Sequence, residues 1–311
     1  MPIRLVLAIS LAMACAPPGA RAADPAPEEA ESAQPDRTLH AQVLLARARF
    51  SPGQIDGIAG SNQARALRGF QAARDLPESG EVDEATWEAL DDGAPALVER
   101  SLTEEDLAAP YHETPEDMIE KAELERLGYG SAWEALGERF QASPELLRSL
   151  NPDTEPKAGA TLRVPNVRDL PELEKAARVV VDESDGTLVL LDGNDRTMAQ
   201  FPVTSGSEHD PLPIGEWTVE AIARDPTFHY NPELFWDADQ SHAKATIAPG
   251  PNNPVGSVWI DLSKPHYGIH GTPEPASVGK TASHGCIRLT NWDALAVAAA
   301  LEAGTPVVMQ E

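Results

Sequence analysis

The chain has 311 residues, enough for roughly two or three domains. It carries 50 Asp and Glu against 24 Lys and Arg, a formal net charge of −26. Acidity on this scale excludes nucleic acid and anionic lipid surfaces as primary partners, because both repel it. It fits a soluble exported protein and names no ligand.

In chain order, Arg4 precedes a short apolar run, Leu5 to Ala16, and Ala20-Arg21-Ala22 has the small-x-small form of a cleavage site. Residues 1–22 therefore read as a signal peptide cleaved after Ala22, which places the mature protein in the periplasm or outside the cell. The run is too short to span a bilayer, and no later segment is apolar enough to do so. The rival reading, a lipidated Cys15, is the weaker one, since Ala12 stands where a lipoprotein signal has leucine. Residues 23–38, rich in Ala, Pro and Glu, read as a disordered linker. Residues 39–92 read as a compact unit of three short helices. Leu39, Val43, Leu44 and Ala48 carry the first, Ala64, Leu67 and Phe70 the second, and Asp83 caps a third bearing Trp87 and Leu90. Residues 93–126 are acidic and read as a linker with an acidic helix over 111–127. In 127–167 the spacing predicts a helix around Trp133–Phe140 and another behind Ser143-Pro144, then a turn and strand through Gly159–Asn166.

Residues 178–311 change character. Val179–Val181, Thr187–Leu191 and Met198–Phe201 are short β runs separated by Asp185-Gly186 and Asp192-Gly193-Asn194. An alanine-rich helix follows at 292–303. The fold class expected is a multidomain α+β chain whose C-terminal part is a mostly-β sandwich with one packed helix. The segment Phe228 to Trp236 reads either as a substrate-facing loop or as aromatic core.

The chemistry concentrates at Ser283-His284-Gly285-Cys286. With Cys15 in the leader, the mature chain keeps one thiol, and a lone thiol in an exported protein invites oxidation unless it is used. His270, sixteen residues earlier, is the first candidate for the base. Val258–Leu262 and Tyr267–His270 read as neighbouring strands that bring it to the thiol. In an extended segment His284 and Arg288 share the face of Cys286. Arg288 is one of only six Lys and Arg in residues 181–311, and a guanidinium there suits a substrate carboxylate. The N–H groups around Gly285 and Cys286 are candidate oxyanion donors. Two other readings stand beside a nucleophile: a structural cysteine with two satisfied histidines, and a zinc site on His270, His284 and Cys286. The order His before Cys disfavours the papain-like proteases, where the cysteine comes first.

The run Ile269-His270-Gly271-Thr272 to Ser283-His284-Gly285-Cys286-Ile287-Arg288-Leu289 resembles the signature of the YkuD-type L,D-transpeptidases. Phe201 to Gly206, Pro213-Ile214-Gly215-Glu216-Trp217 and Asn253-Pro254-Val255-Gly256 resemble upstream elements of that family, with Leu212 where threonine is usual. The resemblance implies that Cys286 attacks the carbonyl of the diamino acid at position three of a peptidoglycan tetrapeptide stem. D-Ala leaves, and the thioester passes to an amine. It further implies that His270 moves the protons, oriented by a backbone carbonyl at Gly271, that Ser283 and Gly285 shape the loop, and that His284 supports it. Arg288, Ser283, Gly271 and Tyr267 are the expected substrate-side residues, with no metal and no cofactor. The acceptor is a second stem, giving a 3→3 cross-link, or an amine of an outer-membrane protein. A hydrolase on the same fold and a non-catalytic wall-binding scaffold are the alternatives. Gly53–Gly60, Phe70-Gln71 and Gly80–Trp87 resemble a peptidoglycan-binding type 1 domain, and 127–167 resembles a LysM-like βααβ module; both imply glycan or stem peptide as partner.

Overall fold

The computed structural model describes residues 36–167 and 170–311. The expected signal peptide, Cys15 and nearly all of the 23–38 linker lie outside the described residues. The described residues form one compact unit. No helix among the described residues is long and apolar enough to cross a membrane.

Three helices open it: α1 (Arg37–Arg47), α2 (Ser61–Ala72) and α3 (Glu84–Leu90). Asp36 caps α1 by accepting from the Thr38 N–H, and Asp83 caps α3 through Thr86, as the sequence predicts for the latter. Leu44, Leu45, Phe50, Ala66, Leu67, Phe70 and Leu90 form their common core. Buried Gln71 ties the α2–α3 turn together: its amide donates to Ser79, Thr86 and the Glu81 carbonyl and accepts from the Gly80 N–H.

The following stretch departs from the sequence reading. Residues expected to be linker contain β1 (Leu97–Ser101) and a single helical turn, α4 (Glu104–Leu107), and the acidic helix expected over 111–127 is reduced to another, α5 (Met118–Lys121). After α6 (Ala132–Phe140) and α7 (Pro144–Leu150), β2 (Thr161–Pro165) returns antiparallel to β1, with Leu97 opposite Pro165. The unit is thus βααβ, and its first strand lies thirty residues before the segment that the sequence marked. Ser131 and Ser143 cap the two long helices, the latter with Pro144 just inside. This unit does not own a separate core. Leu39, Val43 and Ile55 of the helical unit pack with Leu136, Phe140, Leu147, Leu162 and Val164 in one cluster.

The β domain comprises β3 (Arg178–Asp182), β4 (Thr187–Leu191), β5 (Thr197–Pro202), β6 (Gly215–Arg224), β7 (Phe228–Tyr230), β8 (Ala245–Ile247), β9 (Val258–Leu262), β10 (Gly268–His270), β11 (Ile287–Arg288), α8 (Asn291–Ala300) and β12 (Pro306–Gln310). Eight strands join in the order β11-β10-β9-β6-β12-β3-β4-β5, and β7 pairs β8 apart from them. The long β6 belongs to both layers of the sandwich. Its first half pairs β12, its second half pairs β9, and the register shifts between Val219 and Ala221; a bulge of this kind lets one strand turn a corner between sheets. Val179, Val181, Leu188, Leu190, Ile260, Ile269, Ile287 and the inner side of α8 fill the space between. Just past β5, Thr204 exchanges both backbone bonds with Arg288 of β11, at 3.0 and 2.9 Å, so the ladder closes on itself at the strand behind the thiol.

Both N-terminal units are docked on this domain. Ser51 N–H donates to the Gln200 carbonyl and Gln200 N–H to Arg49; Asn62 and Arg65 donate to the carbonyls of Val278 and Gly279. The βααβ unit meets it through Leu127 N–H on Pro249, through Asn252 on Gly128 and Glu134, and through Asn291 on Glu138.

Candidate active site

Strand β10 runs parallel to β11, with Ile269 beside Ile287 and His270 beside Arg288. Both isoleucines are fully buried in the core. Because side chains alternate along a strand, His270 and Arg288 stand on the opposite, outer face, and Cys286 enters that face just before β11. Adjacent strands lie about 4.8 Å apart, so the pairing delivers the imidazole and the thiol to one small patch.

His270 is 5% exposed. Its Nδ1 lies 2.6 Å from the Gly271 carbonyl oxygen. A carbonyl only accepts, so Nδ1 carries the proton and Nε2 is left with a free lone pair. The Trp259 indole, directly opposite on β9, stacks against the ring at 5.5 Å and 21°. Burial, assisted by the nearby Arg288 charge, pushes the imidazole down to about 4. Burial also pushes the Cys286 thiol up, against the opposing effects of the Gly268 N–H and Arg288. The resting pair is therefore neutral thiol and neutral imidazole. The thiol donates to the His266 carbonyl at 3.7 Å. Cys286 is the free cysteine among the described residues.

Gly285 has φ +93°, a region that side chains rarely adopt, and a Cβ there would lie 2.6 Å from the Tyr267 ring. The turn is pinned by Ser283, whose hydroxyl donates to the Cys286 carbonyl at 2.7 Å and whose N–H donates to Gly206. The N–H groups of Gly285 and Cys286 make no hydrogen bond to the described residues, which leaves them open to a developing oxyanion. Arg288 is half-buried and its guanidinium makes no hydrogen bond or ion pair with the described residues. Tyr267 packs on the turn, with the Lys264 ammonium 5.6 Å from its ring centroid.

His284 is a correction. The extended reading puts it on the face of Cys286, but residues 284–286 bend at Gly285. Its Nε2 instead meets Asp237 at 2.8 Å, and its ring contacts Phe235 and Trp236. It fastens the 231–242 loop to the thiol turn. The zinc arrangement has no geometry behind it: among the described residues no group of three or more His, Cys, Asp or Glu side chains is placed to hold a metal ion. Of the Phe228–Trp236 segment, Tyr230 is core, whereas Leu234 and Trp236 are exposed at 53% and 58%. Two residues escaped sequence reasoning. Trp259 was legible only as a strand residue, and Asn291, at the start of α8, gave no signal beyond lying five positions after the thiol.

A neutral thiol beside a desolvated imidazole, with free N–H donors at the turn, is the equipment of a cysteine-dependent acyl-transfer enzyme. Residues 176–309 match the model of the YkuD L,D-transpeptidase catalytic domain, and residues 34–90 match that of the peptidoglycan binding domain. The YkuD L,D-transpeptidase of Bacillus licheniformis is 29% identical over 181 residues, 57% of this chain and 93% of that protein. The YqjB L,D-transpeptidase of Bacillus subtilis is 30% identical over 139 residues, 43% of this chain and 70% of that one. A solved L,D-transpeptidase from Mycobacterium smegmatis is 20% identical and covers 51% of this chain and 76% of its own, with a TM-score of 0.36. The chain belongs to the YkuD family of L,D-transpeptidases.

Proposed function

We propose that this protein is an exported enzyme that rebuilds peptidoglycan stems by L,D-transpeptidation, with Cys286 as nucleophile and His270 as general base and acid. The observation that carries the proposal is the Nδ1–Gly271 bond, which leaves His270 Nε2 as the one basic nitrogen on the face of the thiol. On attack, sulfur bonds to the carbonyl carbon of the diamino acid at stem position three, and the thiol proton passes to Nε2. The carbonyl oxygen becomes an oxyanion at the Gly285 and Cys286 N–H groups. The C–N bond to D-Ala then breaks as Nε2 returns the proton to the departing amine. A thioester remains. An acceptor amine attacks it, gives its proton to His270, and leaves an amide and a restored thiol. Arg288 supplies a positive charge for a stem carboxylate.

A neutral resting pair supports general-base attack rather than a stored thiolate. Such a thiol is less open to oxidation, which suits an enzyme working outside the cytoplasm. The acidic composition and the sequence of residues 1–22 support a periplasmic or secreted location. The helical unit is read as binding glycan or stem peptide of the wall. The βααβ order with antiparallel outer strands supports a LysM-like, glycan-binding reading of the second unit.

The test is mass spectrometry of muropeptides after incubation of wild type and Cys286→Ala with disaccharide tetrapeptide. Dimers lacking one D-Ala, made by wild type alone, establish the 3→3 reaction. Tripeptide without dimers means hydrolysis or a protein amine as acceptor. Equal product from both proteins overturns the assignment of Cys286.

A further inference from the structure

We propose that Glu138 and Asn291 are positioning residues for His270: helix α6 of the βααβ unit holds the Asn291 carboxamide, and Asn291 holds the backbone that presents the Gly271 carbonyl to the imidazole. The inference rests on the catalytic reading of His270 given above. The βααβ unit then acts inside the catalytic machinery, whatever it binds outside it.

The chain of contacts is short. Asn291 is 1% exposed at the first turn of α8. Its Oδ1 accepts from the Ser257 N–H at 2.9 Å, and its Nδ2 donates to the Pro251 carbonyl at 3.1 Å and to Glu138 Oε1 at 3.3 Å. These partners fix which way the amide faces, since a flip would set two acceptors, or two donors, against each other. The same Oδ1 occupies the space that side chains on two glycines would need. A Cβ on Gly256 would lie 2.0 Å from it, and one on Gly271 would lie 2.2 Å from it. Asn291 is therefore wedged between the 251–257 turn and Gly271. Gly271 in turn accepts the His270 Nδ1–H, and its own N–H is bound to Val258. Any shift of the carboxamide shifts the carbonyl that sets the histidine tautomer.

Glu138 reaches this point from 153 residues away in sequence. Burial pushes its carboxyl up to about 8 against the opposing effect of the Asn291 N–H bond, and Glu134 on its own helix and Asp293 on α8 add to the rise. Tyr129, before α6, also feels its charge, and Asp293 is itself pushed up to about 7. At neutral pH Glu138 is mostly a neutral acid that accepts the Asn291 N–H. As it ionises, its charge faces Glu134 and Asp293, but the bond from the Asn291 N–H becomes charge-assisted and tightens. Glutamine has the shape and the acceptor without the titration.

The experiment uses the full mature chain, a carbapenem as probe and mass spectrometry of Cys286 acylation from pH 6.5 to 9. Glu138→Ala is expected to slow maximal acylation by about tenfold, the size of a small misplacement at a reacting centre, at an unchanged half-saturating concentration. Glu138→Gln is expected within about twofold of wild type at pH 6.5, and its rate relative to wild type should fall toward pH 9. Imidazole 15N shifts supply a readout independent of turnover: wild type and Glu138→Gln should hold the Nδ1–H form, and Glu138→Ala should show mixed tautomers. A folded Glu138→Ala protein with wild-type rate and tautomer overturns the proposal. So does a Glu138→Gln protein whose rate relative to wild type stays flat with pH. Wild type that does not react with the probe removes the catalytic reading, and this inference with it.

Discussion

The two N-terminal units grip opposite halves of the catalytic pair. The helical unit holds the approach to the nucleophile: Asn62 and Arg65 of α2 donate to the carbonyls of Val278 and Gly279, on the loop that leads into Ser283–Cys286. The βααβ unit holds the ground behind the base, through Glu138 and Asn291. The Asn62 and Arg65 contacts use side-chain amide and guanidinium donors on backbone carbonyls and are indifferent to pH, while Ser51 of the same unit meets a titrating carboxyl, Asp293, away from the thiol loop. The βααβ unit's grip uses a carboxyl that titrates near neutrality. Segments that look like detachable binding modules thus also set the geometry of the site, each on a different partner and with a different sensitivity.

The largest expected effect is at the nucleophile turn itself. Gly285→Ala must place a Cβ at φ +93° and within 2.6 Å of Tyr267, a strain of about 1–3 kcal/mol before any repacking. Acylation by a carbapenem should fall by about a hundredfold or more, with near-UV circular dichroism unchanged; a rate near wild type would mean that the turn does not set the thiol. Next comes the helical unit's grip. Asn62→Ala leaves the Val278 carbonyl without its donor, a cost of about 1–3 kcal/mol for a buried group. It should lower the melting temperature and slow acylation at every pH alike. A slowing that varies with pH would erase the contrast between the two docking faces.

The smallest effect is one of stability. Asp293 is 4% exposed and accepts from Ser51 at 2.8 Å, and burial pushes it up to about 7. A carboxyl whose folded value exceeds its unfolded one, about 3.9, contributes most below that value and loses its contribution as pH rises through about 7. Wild type should therefore melt at a lower temperature at pH 8 than at pH 5, and Asp293→Asn should flatten that slope. Calorimetry of the two proteins across that range decides it; parallel curves would assign the slope to other groups.

The strand that carries His270 was legible in sequence because its signal is local, whereas its parallel partner β11 was read only as an extended run. His270 and Cys286 lie sixteen residues apart, and alternation places both on one face once Ile269 and Ile287 are recognised as core. The carbonyl partner at Gly271 came from family resemblance, not from the residues. What sequence missed is non-local. Strand β1 pairs across some sixty residues with β2, and its five residues show only weak alternation in burial, so they read as linker. The Glu138–Asn291 contact has no periodicity to announce it. His284 was misplaced because a two-residue spacing carries a shared face only while the backbone stays extended, and Gly285 breaks that condition. The single turn α5 falls where apolar residues are too sparse to support the longer acidic helix expected.

The closed ladder carries a consequence for recognition. The Thr204 and Arg288 backbones are bonded to each other, and β10 occupies the far side of β11, so the catalytic strand offers no vacant edge. A donor peptide cannot enlist as an extra strand, the route by which many extended ligands are read. Selection must instead come from termini, charges and the surrounding loops, which frees the enzyme from demanding a regular backbone in its substrate.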